Sequence, residues 1–349
     1  MAPQESLNRN AALGLAERAR RKAARTRALG GESWNAPETG RNSQAFLRSS
    51  NVFGSNTLAR MRTGKRFSQL DVFSNHALLG NPLAVVHDAH DLDLDTMRAL
   101  ARWTNLSETT FLLPPSTPSA DYRVRIFTPN AELPFAGHPT LGTCHAWLMA
   151  GGQPRRPEIV QECGIGLVSL RRLPQLAFQA PPLKAPRPLE PEVLQQVVHA
   201  LRVPFADVVA HQWLDNGSPW CGLVLRSASE VLALKPDFAL MRGLKVGVLG
   251  PHPPGLPFQF EVRAFVPDLG IPEDPVTGSL NAGFGVWLTS AGLSPPRYVV
   301  RQGTSLLRDG RVFVTQEANA VWVGGDVTSV VEGTLRLEPS LRIHEHSAS

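Results

Sequence analysis

The sequence predicts an α+β protein built from two similar domains, each a curled sheet around one helix. Three observations lead there. First, a frame recurs: Arg125-Ile126-Phe127-Thr128-Pro129 with Pro134 five residues on, and 138 positions later Arg263-Ala264-Phe265-Val266-Pro267 with Pro272 five residues on. Each copy passes a Gly/Thr-rich turn and an apolar stretch that reaches a Trp-Leu pair, Trp147-Leu148 and Trp287-Leu288, the latter offset being 140. A frame shared at such a distance marks a duplicated domain, here with a two-residue insertion. Second, short strand patterns far outnumber helical ones, which argues against a doubly wound parallel fold. Third, each half holds one long helix rich in small residues, of a kind that fits inside a curled sheet.

The elements follow in order. Phe67–Phe73 alternates as a strand does, and a turn-rich loop from Asn75 to Pro82 leads to a strand over Leu83–His87. Asp93 caps a helix from Leu94 to about Trp103, with Leu94, Met97, Leu100 and Ala101 on one face. Thr109–Leu113 and Tyr122–Phe127 read as strands, and Thr140–Ala150 as an amphipathic helix that starts behind Pro139 and stops before Gly151-Gly152. Strands are expected near 158–162, 166–172 and 175–179. Five prolines between Pro181 and Pro191 mark a linker. Beyond it come a helix over Val193–Leu201, strands near 207–213, 221–226, 245–249 and 258–266, a helix over about Ser279–Ala291, and strands near 297–302, 311–315 and 320–324.

The chain has 349 residues, 42% hydrophobic, enough for two domains with cores. No run of eighteen apolar residues is present, so a membrane span is not expected. The N-terminus carries no apolar stretch of signal-peptide type. Three cysteines at irregular spacing, Cys144, Cys163 and Cys221, fit neither a CxxC metal or redox pattern nor a disulfide framework. They read as small buried hydrophobes in a protein of the reducing cytosol. The formal charge of +5 is unevenly placed, since residues 1–66 hold thirteen Lys/Arg and four Glu. The remaining body is mildly acidic, and nothing in it reads as a nucleic-acid surface. Residues 1–66 read as a basic leader, with Met61 as an alternative start. A basic helix over Leu13–Leu29 would give that leader a second reading, as a nucleic-acid or acidic-membrane anchor.

The chemistry-bearing residues cluster at matching points of the two copies. Glu108 stands where a loop becomes an apolar strand, a place where partial desolvation raises a carboxyl pKa toward neutrality; a solvated strand-edge Glu is the plainer alternative. His138, between Gly137 and Pro139, stands at a helix start whose dipole would keep the imidazole neutral, or it merely satisfies its own turn. Glu273 and Asp274 precede the second helix start and are open to reading as capping acids. Gly278 and Ser279 bring N–H groups and a hydroxyl to that helix entrance, a setting for a substrate carboxylate.

Taken together, Asn75 with Gly80-Asn81-Pro82, Ser107-Glu108-Thr109, Arg125-x-Phe-Thr-Pro…Pro134-Phe-Ala-Gly-His138-Pro-Thr and Glu273-Asp274-Pro275-x-Thr-Gly-Ser279 resemble the PhzF family of phenazine-biosynthesis-like isomerases over about residues 67–335. The resemblance implies a fold like that of diaminopimelate epimerase: two pseudo-symmetric β-barrel-like domains, each around a central helix, with the active site between them. The implied domains are 67–181 with about 326–340, and 191–325, joined by the linker 182–190. It implies catalytic roles for Glu108, His138 and Asp274, and substrate contacts at Gly137, Gly278 and Ser279. It further implies a cofactor-independent and metal-independent proton shift on a small carboxylate-bearing substrate, and a homodimer. A two-thiol racemase is not expected, because the corresponding places carry Ala136 and approximately Asp274. Leu280 stands where the family commonly has Ala, and its size is expected to narrow the pocket. The alternative reading is a small-molecule-binding protein that keeps the cleft without the chemistry; a carboxylate at Glu108 speaks against it.

Overall fold

The computed structural model describes residues 64–172 and 174–337. The basic leader, the Leu13–Leu29 helix and Met61 therefore lie outside the described residues, as does the end of the expected 326–340 return. Lys65 and Arg66, assigned to the leader from sequence, instead open the first strand.

The first half runs β1 (Lys65–Val72), β2 (Asn81–Val86), α1 (Leu94–Thr104), β3 (Glu108–Leu113), β4 (Tyr122–Phe127), β5 (Glu132–Leu133), α2 (Gly137–Met149), β6 (Ile159–Cys163), β7 (Gly166–Arg171) and β8 (Leu176–Gln179). After α3 (Pro191–Leu201) the second half repeats it: β9 (Val208–Asp215), β10 (Pro219–Leu225), α4 (Ala228–Ala233), β11 (Val246–Pro251), β12 (Phe260–Phe265), β13 (Glu273–Asp274), α5 (Gly278–Ser290), β14 (Arg297–Gln302), β15 (Gly310–Glu317) and β16 (Ala320–Gly325). A last strand, β17 (Val327–Leu335), returns to pair antiparallel with β1.

The pairings are duplicated strand for strand. β1–β2 and β9–β10 are antiparallel, while β2–β3 and β10–β11 are parallel. β3–β4 and β11–β12 are antiparallel, and β4–β6 and β12–β14 are parallel. β8 pairs with β16 and joins the two halves into one sheet. This register corrects the frame read from sequence. Phe127 faces Glu132 across β4–β5, as Phe265 faces Glu273 across β12–β13. Glu132-Leu133-Pro134-Phe135-Ala136-Gly137-His138 thus matches Glu273-Asp274-Pro275-Val276-Thr277-Gly278-Ser279. The insertion is three residues, Pro134 pairs with Pro275 and not Pro272, and Ala136 is matched by Thr277 and not Asp274.

Each sheet curls around its helix. α2 packs on β1, β2, β3 and β8, and α5 on β9, β10, β15 and β16. Enclosure removes any need for a polar face: nine residues of α2 and ten of α5 are buried, so α2 is not the amphipathic helix expected from its sequence. Small residues make the fit possible; a Cβ on Gly142 would lie 2.4 Å from Leu83 Cδ2. Among the described residues, no helix is long and apolar enough to cross a membrane.

One ion pair also recurs. Arg263 of β12 grips Glu273 through two hydrogen bonds of 3.0 and 2.7 Å, with both side chains under a tenth exposed. Arg125 of β4 grips Glu132 in the same way at 2.8 and 2.7 Å, but about a third exposed. Glu273 is therefore the partner of a buried arginine rather than a helix cap. Losing one member of a buried pair strands the other charge, whereas an exposed pair adds little. Glu273→Ala is expected to cost about 3–5 kcal/mol in urea unfolding and Glu132→Ala about 0–1 kcal/mol; equal costs would contradict this assignment.

Candidate active site

The two central helices begin almost in contact. A Cβ on Gly137 would lie 2.6 Å from Gly278 Cα, and one on Gly278 would lie 2.7 Å from Gly137 Cα. Only two glycines permit this approach. Neither helix has a side-chain cap at its N-terminus, so the N–H groups of both first turns converge on one place with their positive ends. Beside that junction lies a cavity of about 50 Å³. Glu108, His138, Asp274, Gly137, Gly278 and Ser279, singled out in the sequence, all line it.

Glu108 opens β3 and is 9% exposed. Burial, then the charge of Asp274, pushes its carboxyl up to about 8, against opposing effects of Ser107 and Lys245. The sequence alone favoured a solvated strand-edge Glu; the parallel pairing to β2 at Leu83 takes it inside. Its Oε2 lies 3.2 Å from His138 Nε2, yet the two are not aligned as a hydrogen bond, and neither atom has another partner. His138 is pushed down to about 3 by burial, so it is a neutral imidazole near pH 7. Desolvation by burial is the cause. Its Nδ1 faces Asn81 Nδ2 at 3.3 Å, which makes Nδ1 an acceptor and assigns the ring proton to Nε2, toward Glu108.

Asp274 accepts from Asn81 Nδ2 at 2.9 Å and from Thr277 Oγ1 at 2.6 Å. Burial raises its carboxyl to about 6, and those two donors restrain the rise. Burial thus raises both carboxyls, and the charge of Asp274 raises Glu108 further. Asn81 was visible only as part of a motif. It is fully buried, starts β2, and also donates to Val276 O at 2.9 Å while accepting from Ser107 Oγ at 3.3 Å. One amide thus ties the first half to the entrance of α5. Ser218, Trp220 and Lys245 line the cavity as well and were not singled out.

Two expectations fail. Leu280 does not line the cavity; it is buried in the core against Gly247, where a Cβ would lie 2.3 Å from Leu280 Cδ1. Helical geometry turns it away from the pocket, and the missing side chain of Gly247 receives it. Cys163 is half-buried, unlike Cys144 and Cys221. All three are free, and burial pushes Cys144 and Cys221 up to about 12 and also raises Cys163. None lines the cavity. Among the described residues, no group of three or more His, Cys, Asp and Glu could hold a metal ion.

Comparison with known proteins gives one answer. The family described as phenazine biosynthesis-like protein matches residues 70–333. Antisense-enhancing sequence 1 of Schizosaccharomyces pombe is 37% identical over 78% of this chain and 98% of its own. Trans-2,3-dihydro-3-hydroxyanthranilate isomerase of Pseudomonas aeruginosa is 30% identical over 77% and 98%. A solved structure described as a predicted epimerase from the same organism is 28% identical, with a TM-score of 0.66 over 78% of this chain and 100% of its own. A probable proline racemase from Agrobacterium radiobacter, 14% identical over 79% and 94% with a TM-score of 0.51, shares the fold.

The carboxyl of Glu108 makes stability depend on pH. Its folded value lies above its ordinary 4.5, so between there and about 8 the folded state holds a proton that the unfolded state releases. That contribution is full below the lower value and is lost as pH rises through the upper one. Glu108→Gln is therefore expected to gain thermal stability relative to the parent as pH rises from about 5 to about 8. Parallel melting-temperature curves for the two proteins across that range would overturn the assignment.

Proposed function

The chain belongs to the phenazine biosynthesis-like family of isomerases, and from that premise we propose that it moves a proton between two carbons of a small unsaturated carboxylate without a cofactor, with Glu108 as general acid and base. The observation that carries this reading is a buried carboxyl whose Oε2 has no hydrogen-bond partner among the described residues, in a cavity shared with two uncapped helix starts.

The residues divide the work. The N–H groups at Gly137, Gly278 and Ser279 receive the substrate's carboxylate, where both helix ends favour negative charge. This leaves a reactive carbon facing Glu108. With a value of about 8, both forms of Glu108 are populated near neutrality. It can therefore give its proton to one carbon and take one back from another, and the net composition does not change. A positioned acid/base supplies about 10²–10⁴-fold, and orientation supplies much of the rest. Neutral His138 offers its Nε2–H to charge that develops on the substrate. Ionised Asp274, fixed by Asn81 and Thr277, orients a donor group of the substrate. A cavity of about 50 Å³ holds water but not a ring, so the two halves part to admit the substrate. A cytosolic setting and a homodimer belong to the same reading; a mass of one chain in light scattering would remove the dimer.

The relatives' substrate, trans-2,3-dihydro-3-hydroxyanthranilate, and smaller unsaturated carboxylates serve as probes in deuterated water. The parent protein is expected to place deuterium on a substrate carbon, and Glu108→Gln to lose at least about 10²-fold of that rate while keeping its fold and its affinity. Undiminished exchange in Glu108→Gln would refute the role of Glu108. Tight binding without exchange by the parent would instead make the protein a binder.

A further inference from the structure

The duplicated register has a second outcome in the cavity. Thr109 faces Phe127 in the first half, and Val246 faces Phe265 in the second. One residue earlier stand Glu108, the first of β3, and Lys245, just before β11, so Lys245 occupies the position that mirrors Glu108. The parallel neighbours agree: Leu83 lies beside Glu108, and Cys221 beside Val246, which makes Trp220 the mirror of Leu83. Gly80-Asn81-Pro82 then coincides with Gly217-Ser218-Pro219. Both Ser218 and Lys245 line the cavity with Glu108.

We propose that Lys245, Ser218 and Trp220 form a second anion subsite, in the same cavity as the helix starts, which binds a second carboxylate of the substrate. The preferred substrate is thus a dicarboxylate. This deepens the isomerase reading and rests on it for the place where substrate sits.

Three observations support the subsite. Lys245 Nζ donates to Ser218 Oγ at 2.9 Å, and among the described residues this is its one side-chain hydrogen bond. No carboxylate lies within ion-pair distance of it there, although an ammonium has three N–H groups to place. Trp220 is 3% exposed, lines the cavity, and its indole N–H has no partner. A buried donor left unsatisfied costs free energy, which an acceptor on a ligand restores. The ammonium also lies 6.0 Å from the Trp220 ring centre, at the outer edge of cation–π range. Two donor-bearing side chains with unspent N–H groups share one cavity wall, and an oxyanion fits them both.

The test is calorimetric binding of benzene-1,3- and benzene-1,4-dicarboxylate against benzoate, using the full chain. The parent is expected to bind the better dicarboxylate about tenfold more tightly than benzoate. In Lys245→Met, which keeps an unbranched side chain without the charge, that preference is expected to vanish while benzoate affinity persists, which also reports an intact site. Ser218→Ala is expected to weaken the preference, and Glu108→Gln to keep it. A parent without preference, including one that binds neither at millimolar concentration, would overturn the subsite, as would Lys245→Met retaining the preference. Absence of deuterium exchange alongside an intact dicarboxylate preference would end the isomerase reading and leave the subsite standing.

Discussion

The site depends on the abutment of Gly137 and Gly278. A single methyl group on either would lie under 3 Å from the backbone of the other, so the approach exists only because both positions lack a Cβ. Two helix N-termini brought end to end repel, since each carries about half a positive charge. The fold supports this arrangement by placing carboxyl groups around the junction. Burial raises the Asp274 carboxyl, and Asn81 and Thr277, by donating to it, restrain that rise. What remains unsatisfied is the set of N–H groups facing the cavity, and this is a reason for the site to favour an anionic ligand.

Asn81 carries that arrangement across the two halves. Its amide touches Asp274 and the carbonyl of Val276 on one side and His138 on the other. The 3.3 Å contact to an amide nitrogen that only donates is compatible with a ring proton on Nε2, toward Glu108. A duplicated fold would by itself place like groups opposite like groups. Divergence at a few positions has broken that equivalence: Leu133 mirrors Asp274, His138 mirrors Ser279, and Lys245 mirrors Glu108. The scaffold stays symmetric, to the point of repeating the Arg–Glu grip in both halves, while the chemistry becomes directional.

Much of the fold was legible because strand alternation, the Asp93 cap and the small-residue helices are local signals. The cap is present as expected, with Asp93 accepting from Thr96 N. The family pattern and the duplication were legible for the same reason. What failed depended on contacts distant in sequence. The length of the insertion could not be fixed by matching prolines and Trp-Leu pairs, because the equivalence is set by strand register at Phe127 and Phe265. Leu280 was misplaced because its direction depends on Gly247, 33 positions earlier. The short helix α4 and the strand β17 carry little hydrophobic pattern; β17 has a largely exposed outer run and holds its place by pairing with β1. Lys245 was missed although Gly217-Ser218-Pro219 echoes Gly80-Asn81-Pro82. That echo becomes meaningful only once the strands are aligned.

The spacing between Glu108 and Lys245 decides what the acid can do. A lysine in direct ion-pair contact would stabilise the carboxylate and strip Glu108 of its proton at neutral pH. Here the ammonium lowers the Glu108 value only as the last of the contributing effects, behind burial, Asp274 and Ser107. Ser218 holds the ammonium by one of its N–H groups, and burial lowers the lysine's own affinity for its proton while Glu108 supports it. A cation and an acid thus share one small cavity without neutralising each other. Burial keeps the Glu108 carboxyl raised, and Lys245 has N–H groups beyond the one it gives to Ser218. Lys245 shares the cavity with Glu108 yet makes no ion pair among the described residues, and the two occupy mirrored positions of the duplicated fold.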